Sequence, residues 1–295
     1  MRPRFAADYR TLCWAFVLFP LLPALGLARP ALALWLLPVQ LYLAYSAGVL
    51  THNHIHCSVF TGRRANAFYG AWLSVFYGCP IAFWIPTHVV NHHQFSNTEA
   101  DVTRAHRQSS AHDLRQAIAY TLASGYWQLP LVKSYVREAY QKRGRRFREL
   151  VLQGSALVIA HAALIGLGIA LHGAGLGLGV YVLTFGGPAL LAPCFMFFTS
   201  YMQHVHCEPG SAHNHSRNFV GTLANWFVFE AGYHTVHHEH PTTHWSQYPA
   251  LHAARSASIH PDLNVRSLFG FWVENYLLRA FSARFGTRQL PSPSA

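Results

Sequence analysis

The stretch ALALWLLPVQLYLAYSAGVLTHNHIH, from Ala31 to His56, decides how the chain is organised. Up to Leu50 it holds no charged residue, and it is as long as the roughly 20 helical residues needed to cross about 30 Å of hydrocarbon. It then runs directly into His52, His54 and His56. Imidazole is costly to gather beside a membrane, and what most often binds such a group is a transition metal. If the helix continues past Leu50, His52 and His56 lie one turn apart on the same face and can clamp an ion, while His54 points to the opposite face.

The rest of the chain extends that apolar character. Of 295 residues, 52% are hydrophobic and only 11% charged, and the mean hydropathy is positive, which excludes most soluble domains. Four segments are long and apolar enough to span: 11–28, 31–50, 150–172 and 177–203. Short turns at Ala28-Arg29-Pro30 and His172-Gly173-Ala174-Gly175 make two helical hairpins of them. Arg2, Arg4 and Arg10 precede the first hairpin, the run Lys142-Arg143-Gly144-Arg145-Arg146 ends the long connection, and Arg217, Arg255, Arg266, Arg279, Arg284 and Arg288 follow the second hairpin. Because cytoplasmic loops retain positive charge, both termini and the central region are expected on the cytoplasmic side, with every histidine cluster. Phe68 to Pro86 is apolar but broken by Gly78-Cys79-Pro80, which suits a re-entrant or interfacial helix. Residues 112–140 alternate apolar and charged positions at helical spacing, as a helix on the membrane surface does. The fold expected is all-α, a polytopic membrane protein of one domain over 1–295, with a cytosolic helical cap carrying the histidines. The N-terminus, Met1-Arg-Pro-Arg, leads into a long apolar stretch without an obvious small-residue cleavage site and is read as a retained anchor. The five cysteines are odd in number and form no C-x-x-C pair, so neither a disulfide framework nor a thiolate metal site is indicated, and the thiols are expected to be reduced.

Two further clusters follow the first. His88 and His92 repeat the one-turn spacing, with His93 turned about 100° from His92 and free to reach a second ion. His234, His237 and His238 use the three-residue version, and His204 stands alone at the end of the last span. A zinc site takes about four ligands and a catalytic one only three, so the supply points to two metals. Imidazole suits zinc, copper, iron and nickel, and ligand type alone does not name the ion. Neither Glu-x-x-His nor His-Glu-x-x-His occurs, which excludes a ferritin-type carboxylate site and the common metalloprotease motif.

The order His-x3-His, His-x3-His-His, a lone His at the end of a span and His-x2-His-His resembles the integral membrane fatty acid desaturase and alkane hydroxylase superfamily, over about residues 31 to 250. The resemblance implies a cytosol-facing centre of two iron ions that activates dioxygen against unactivated C–H bonds. It implies ligation by His52, His56, His88, His92, His93, His204, His234, His237 and His238. Ser200 stands where some acyl desaturases carry an asparagine. The reaction it implies is desaturation of a long acyl chain, with hydroxylation of an alkyl or acyl chain, or decarboxylation of a fatty acid to an alkene, as alternatives.

Residues that could orient the imidazoles are Asn91, Asn97, Glu99 and Asp101 after the second cluster, and Glu208, Asn214, Asn218, Glu230 and Glu239 around the third. Each also fits an ordinary cap or loop position. His206, His213, His215, His240 and His244 read as supporting or surface residues, and His161 as a hydrogen-bonded histidine within a span. Trp84, Tyr126, Trp127, Trp226, Tyr233 and Trp245 fit an interfacial belt, with substrate-tunnel lining as the second reading. The formal charge of +11 accompanies membrane spans, so it fits anionic lipid or an acidic electron carrier and not nucleic acid. With no dinucleotide fingerprint and no C-x-x-C pair, reducing equivalents must come from a separate ferredoxin, rubredoxin or cytochrome-type donor with its reductase. A membrane metal transporter is the rival from another class. It is disfavoured because transport needs ionisable groups near the bilayer midplane, whereas these clusters lie at one face.

Overall fold

The computed structural model describes residues 2–290. Among them, four helices are long and apolar enough to cross a membrane: α1 (Asp8–Ala28), α2 (Pro30–His56), α6 (Arg145–His172) and α7 (Ala174–His204). They match the four expected segments and begin or end a few residues further out. The extension that matters is α2, which continues past Leu50 and carries His52 and His56 on helix. The face of α6 is bare of protein partners, with Val158 and Ile159 about two-thirds exposed (66% and 67%), as a lipid-facing helix requires.

Between α2 and α6 lie α3 (Arg63–Tyr77), α4 (Ile81–Phe95) and α5 (Leu114–Lys142). α3 and α4 are bent by 93° at the break foreseen around Gly78, and would make a fifth span or a re-entrant loop if taken together. Gly78 sits at φ +77°, and a Cβ there would lie 2.3 Å from the Ala189 carbonyl oxygen, so both backbone handedness and close approach demand glycine.

Inter-residue contacts divide the chain into two compact units. The first comprises the chain up to Ile85 together with Lys133–Met196. Here the α6–α7 hairpin closes through Gly168 and Gly177, where a side chain on either would meet the other's backbone below 3 Å. His161, within α6, has both ring nitrogens hydrogen-bonded, Nδ1 to the Tyr181 hydroxyl (2.7 Å) and Nε2 to the Val75 carbonyl (3.0 Å).

The second unit comprises Pro86–Val132 and the chain from Phe197 onward. Its apolar centre is built by Ala117, Tyr120, Tyr201, Met202, Phe219, Phe271 and Tyr276. Short helices α8 (Thr222–Phe227), α9 (His234–Glu239), α10 (Tyr248–Arg255) and α11 (Leu268–Trp272) are held by a parallel two-stranded pair, Asn218–Phe219 beside Asn264–Val265. That pair places Asn218 where its side chain grips the start of α9: Oδ1 accepts from Thr235 N (2.9 Å) and Nδ2 donates to Thr235 Oγ1 (2.9 Å). All five cysteines are free thiols.

Candidate metal centre

In the first unit, the ring nitrogens of His52 and His56 come within 4.8 Å of one another, and their rings meet edge to face at 5.0 Å between centroids. One-turn spacing on α2 produces that geometry directly. His54 turns away, as expected, accepting from Val59 N (3.3 Å) against the Tyr69 ring. Trp84, read from sequence as interfacial, packs beside His52 with 5.6 Å between ring centroids.

In the second unit, seven imidazoles gather in two sets. His92, His204, His234 and His238 form one: Nε2 of His204 lies 3.1 Å from Nε2 of His92 and 2.9 Å from Nε2 of His234, and Nε2 of His238 lies 3.1 Å from Nε2 of His234. His88, His93 and His237 form the other, with Nε2 of His93 3.2 Å from that of His88 and 3.0 Å from that of His237. The partition differs from the α-helical expectation, in which His88 paired with His92. Residues Ile85–His92 are wound as a π-helix, and the wider turn brings residue i beneath i+5. His88 is thereby aligned with His93, and His92 is released to the other set.

The hydrogen bonds on the far side of each ring decide which nitrogen faces inward. His92 Nδ1 donates to Asp101 Oδ2 (2.7 Å), and His204 Nδ1 donates to the His215 carbonyl (3.1 Å). A neutral imidazole has one donor nitrogen and one acceptor. The Nε2 atoms of His92 and His204 therefore aim lone pairs at each other across 3.1 Å, an arrangement that a shared cation resolves. His237 Nδ1 is likewise engaged, by the Tyr248 hydroxyl at 3.0 Å. Burial, followed by the neighbouring His93 and His234 rings, drives the His238 pKa well below its ordinary value, so that ring too stays neutral with a lone pair to offer. This donor set fits a transition ion in each group.

Asp101 is the most tightly held of the expected supporting residues. It is fully buried, and its two oxygens also accept from Asn97 N (2.9 Å), Thr103 N (2.8 Å) and Thr103 Oγ1 (2.7 Å). Burial alone would raise its pKa, but the electrostatic attraction and hydrogen bond of the His92 Nδ1–H and the bonds from Thr103 outweigh it and hold the carboxyl well below the usual carboxylate range. Asn97 ties this loop to the last span by donating to the His204 carbonyl (3.1 Å). Asn91 does not touch a ring; it closes the same loop through Ala100 O and Val102 N. Glu239 pairs with His213 (2.8 Å) and lies 3.7 Å from Arg255, outside the imidazole sets. Asn214 donates from N to Ser211 Oγ and Glu99 pairs with Arg104 and His106, both away from the rings. Glu230 takes part through its backbone, at φ +60° in the turn that leads into α9. Glu208 is held through its backbone, its N donating to Asn214 O (2.9 Å) and its O accepting from Ser211 N (3.2 Å), and its carboxylate has no hydrogen bond or ion pair among the described residues, so the expectation that it orients an imidazole is corrected. The residue stands in a turn with Pro209-Gly210. His215 lies ring to ring with His238 (5.2 Å), and burial lowers its pKa to about 4.

Sequence reasoning missed Tyr248 and Thr103. Tyr248 starts α10, eleven residues past His237 and with no periodic relation to it, so nothing in the spacing marks it. Thr103 was within reach, two residues from the acid it fixes.

Comparison with known protein families matches residues 29–268 to the one described as Fatty acid desaturase. Comparison with curated proteins and with solved structures finds no match.

Proposed function

The chain belongs to the fatty acid desaturase family, and from that premise we propose that it removes two hydrogens from adjacent methylenes of a long acyl chain, using dioxygen at a centre of two iron ions. Membership makes it an acyl-chain oxidoreductase, and its apolar helices fit one embedded in a membrane. The observation that carries the finer reading is the sorting of seven imidazoles into two sets, with His92 and His204 turned so that their Nε2 lone pairs face inward.

In this reading His92, His204, His234 and His238 hold one iron and His88, His93 and His237 hold the other, with His52 and His56 as the remaining donors from α2. When bound, the irons supply redox and Lewis-acid chemistry toward dioxygen. The protein's own part is positional. Asp101 and the His215 carbonyl each fix an imidazole tautomer and its orientation, and the Tyr248 hydroxyl holds the His237 ring in place, so that the nitrogens converge without rearrangement. Asp101 stays ionised throughout, because four donors surround it, and so leaves the Nδ1 proton on His92. Dioxygen becomes two waters when two hydrogens leave the acyl chain and two electrons and two protons arrive from outside. A separate ferredoxin, rubredoxin or cytochrome-type donor is proposed for the electrons. The termini and histidine sets are proposed to face the cytoplasm, following the arginine distribution.

The test is product analysis with purified, iron-loaded protein, dioxygen, a reductant chain and candidate acyl substrates. A product two hydrogens lighter supports desaturation. A product heavier by one oxygen makes the protein a hydroxylase, and loss of carbon dioxide makes it a decarboxylase. No iron in freshly isolated protein refutes the metal assignment itself.

A further inference from the structure

Away from the histidine sets, the second unit contains a pocket of about 810 Å³, lined among others by Arg217, Ser267, Arg284, Thr287, Arg288 and Gln289. Arg217 is its unusual member. The side chain is 1% exposed, yet no carboxylate lies within ion-pair distance of it among the described residues. Its guanidinium donates from Nη1 to the Met202 carbonyl (2.6 Å) and stacks 5.2 Å from the Phe271 ring centroid, while Nε is buried without a hydrogen-bond partner. A buried, always-charged group that lacks an anion is costly, and a fork of N–H donors is shaped for an oxyanion. Arg284 and Arg288 add two exposed guanidiniums, neither of them in an ion pair among the described residues, to the same wall. Asp262 and Glu274 also line the pocket but are exposed and do not reach Arg217, so three cations face two anions. His206 contributes no free donor, because Ser110 O and Thr287 occupy its two nitrogens. The surplus is felt nearby: after burial, Arg217 is the largest cause lowering the pKa of His112.

We propose that this pocket, built on Arg217, Arg284 and Arg288, binds a phosphate group. The hydroxyls of Ser267 and Thr287 and the Gln289 amide supply further polar groups, and the volume admits more than a bare ion, so a phosphomonoester or a phospholipid headgroup fits the same chemistry. The site does not depend on which acyl reaction the protein performs.

Intact detergent-purified protein is titrated with inorganic phosphate by calorimetry, and in a second arm is reconstituted into nanodiscs of phosphatidylcholine with and without phosphatidic acid. Saturable binding is expected, weakened at least about tenfold in the Arg284→Gln/Arg288→Gln double variant, whose changes are on the surface and leave the fold intact. Arg217→Lys, which keeps the charge but loses the fork, should weaken it as well. Binding of free phosphate assigns a soluble ligand, and preference for phosphatidic acid alone assigns a lipid headgroup; either upholds the site. Absence of binding in both arms, or binding unchanged in the double variant, overturns it.

Discussion

Replacing Asp101 with asparagine changes one atom of a buried group whose two oxygens accept four hydrogen bonds, from His92, Asn97 and Thr103. In the better of the two amide orientations the remaining oxygen keeps His92 and Asn97, and the new NH2 faces Thr103. The Thr103 hydroxyl can reverse and accept, but its backbone N–H cannot. One charge-assisted bond is lost and a buried donor is stranded, at about 1.5–3 kcal/mol. The opposite orientation is worse, because a donor would then face His92 Nδ1 and push the ring toward the tautomer whose Nε2 carries hydrogen. Either way the negative charge behind His92 is gone, and metal affinity is expected to fall about 10–100-fold, equivalent to about 1.4–2.8 kcal/mol. The measurement is iron per chain by elemental analysis against a graded chelator series, beside thermal unfolding of the same samples. Thr103→Val, which removes only the hydroxyl, should lose less. If Asp101→Asn holds iron within about twofold of the unsubstituted protein while folding normally, orientation of His92 by Asp101 is not what organises the set.

His238→Ala is expected to abolish product and reduce iron content, whereas His240→Ala, just past the end of the same short helix and outside both sets, should keep most activity; equal losses would contradict the partition. Gly78→Ala forces a side chain into a left-handed residue 2.3 Å from the Ala189 carbonyl, and should lower stability by about 2 kcal/mol or more, read as a fall in melting temperature. His112 is held neutral, its pKa lowered to about 2 by burial and then by Arg217, His206 and Arg279. The unfolded chain takes up a proton here below about pH 6.5, so this residue makes stability fall as pH drops below that value, by about 1.4 kcal/mol per pH unit. His112→Gln should flatten the dependence between pH 6.5 and 5 by about one proton, and coincident slopes for the two proteins would rule that out.

Much of this was visible in the sequence because it follows from simple periodicities. Hydropathy located the four long helices, since a span must be apolar over a fixed length, and Gly78-Cys79-Pro80 located the bend. One-turn spacing identified His52 and His56. The scarcity of acids made Asp101 conspicuous. The grouping of His88 with His93 was not legible, because spacing arguments assume 3.6 residues per turn and nothing in the letters Ile85 to His92 declares a wider winding. Tyr248 was hidden for a different reason, as it reaches His237 through a loop fold and not along an element. Glu208 shows the converse: grouped by its chemistry with the third cluster, its carboxylate makes no hydrogen bond to a ring among the described residues.

Adjacent residues 92 and 93 feed different imidazole sets, so one peptide unit joins the two. The Cα atoms of neighbours across a trans peptide are 3.80 Å apart, a length that neither lipid composition nor temperature alters. Part of the spacing between the two proposed ions is thus ruled by covalent bonds and not by how well side chains happen to nest. Bilayer thinning or helix tilting can strain the outer anchors, yet this stretch of main chain will carry both halves along together, like a rigid yoke.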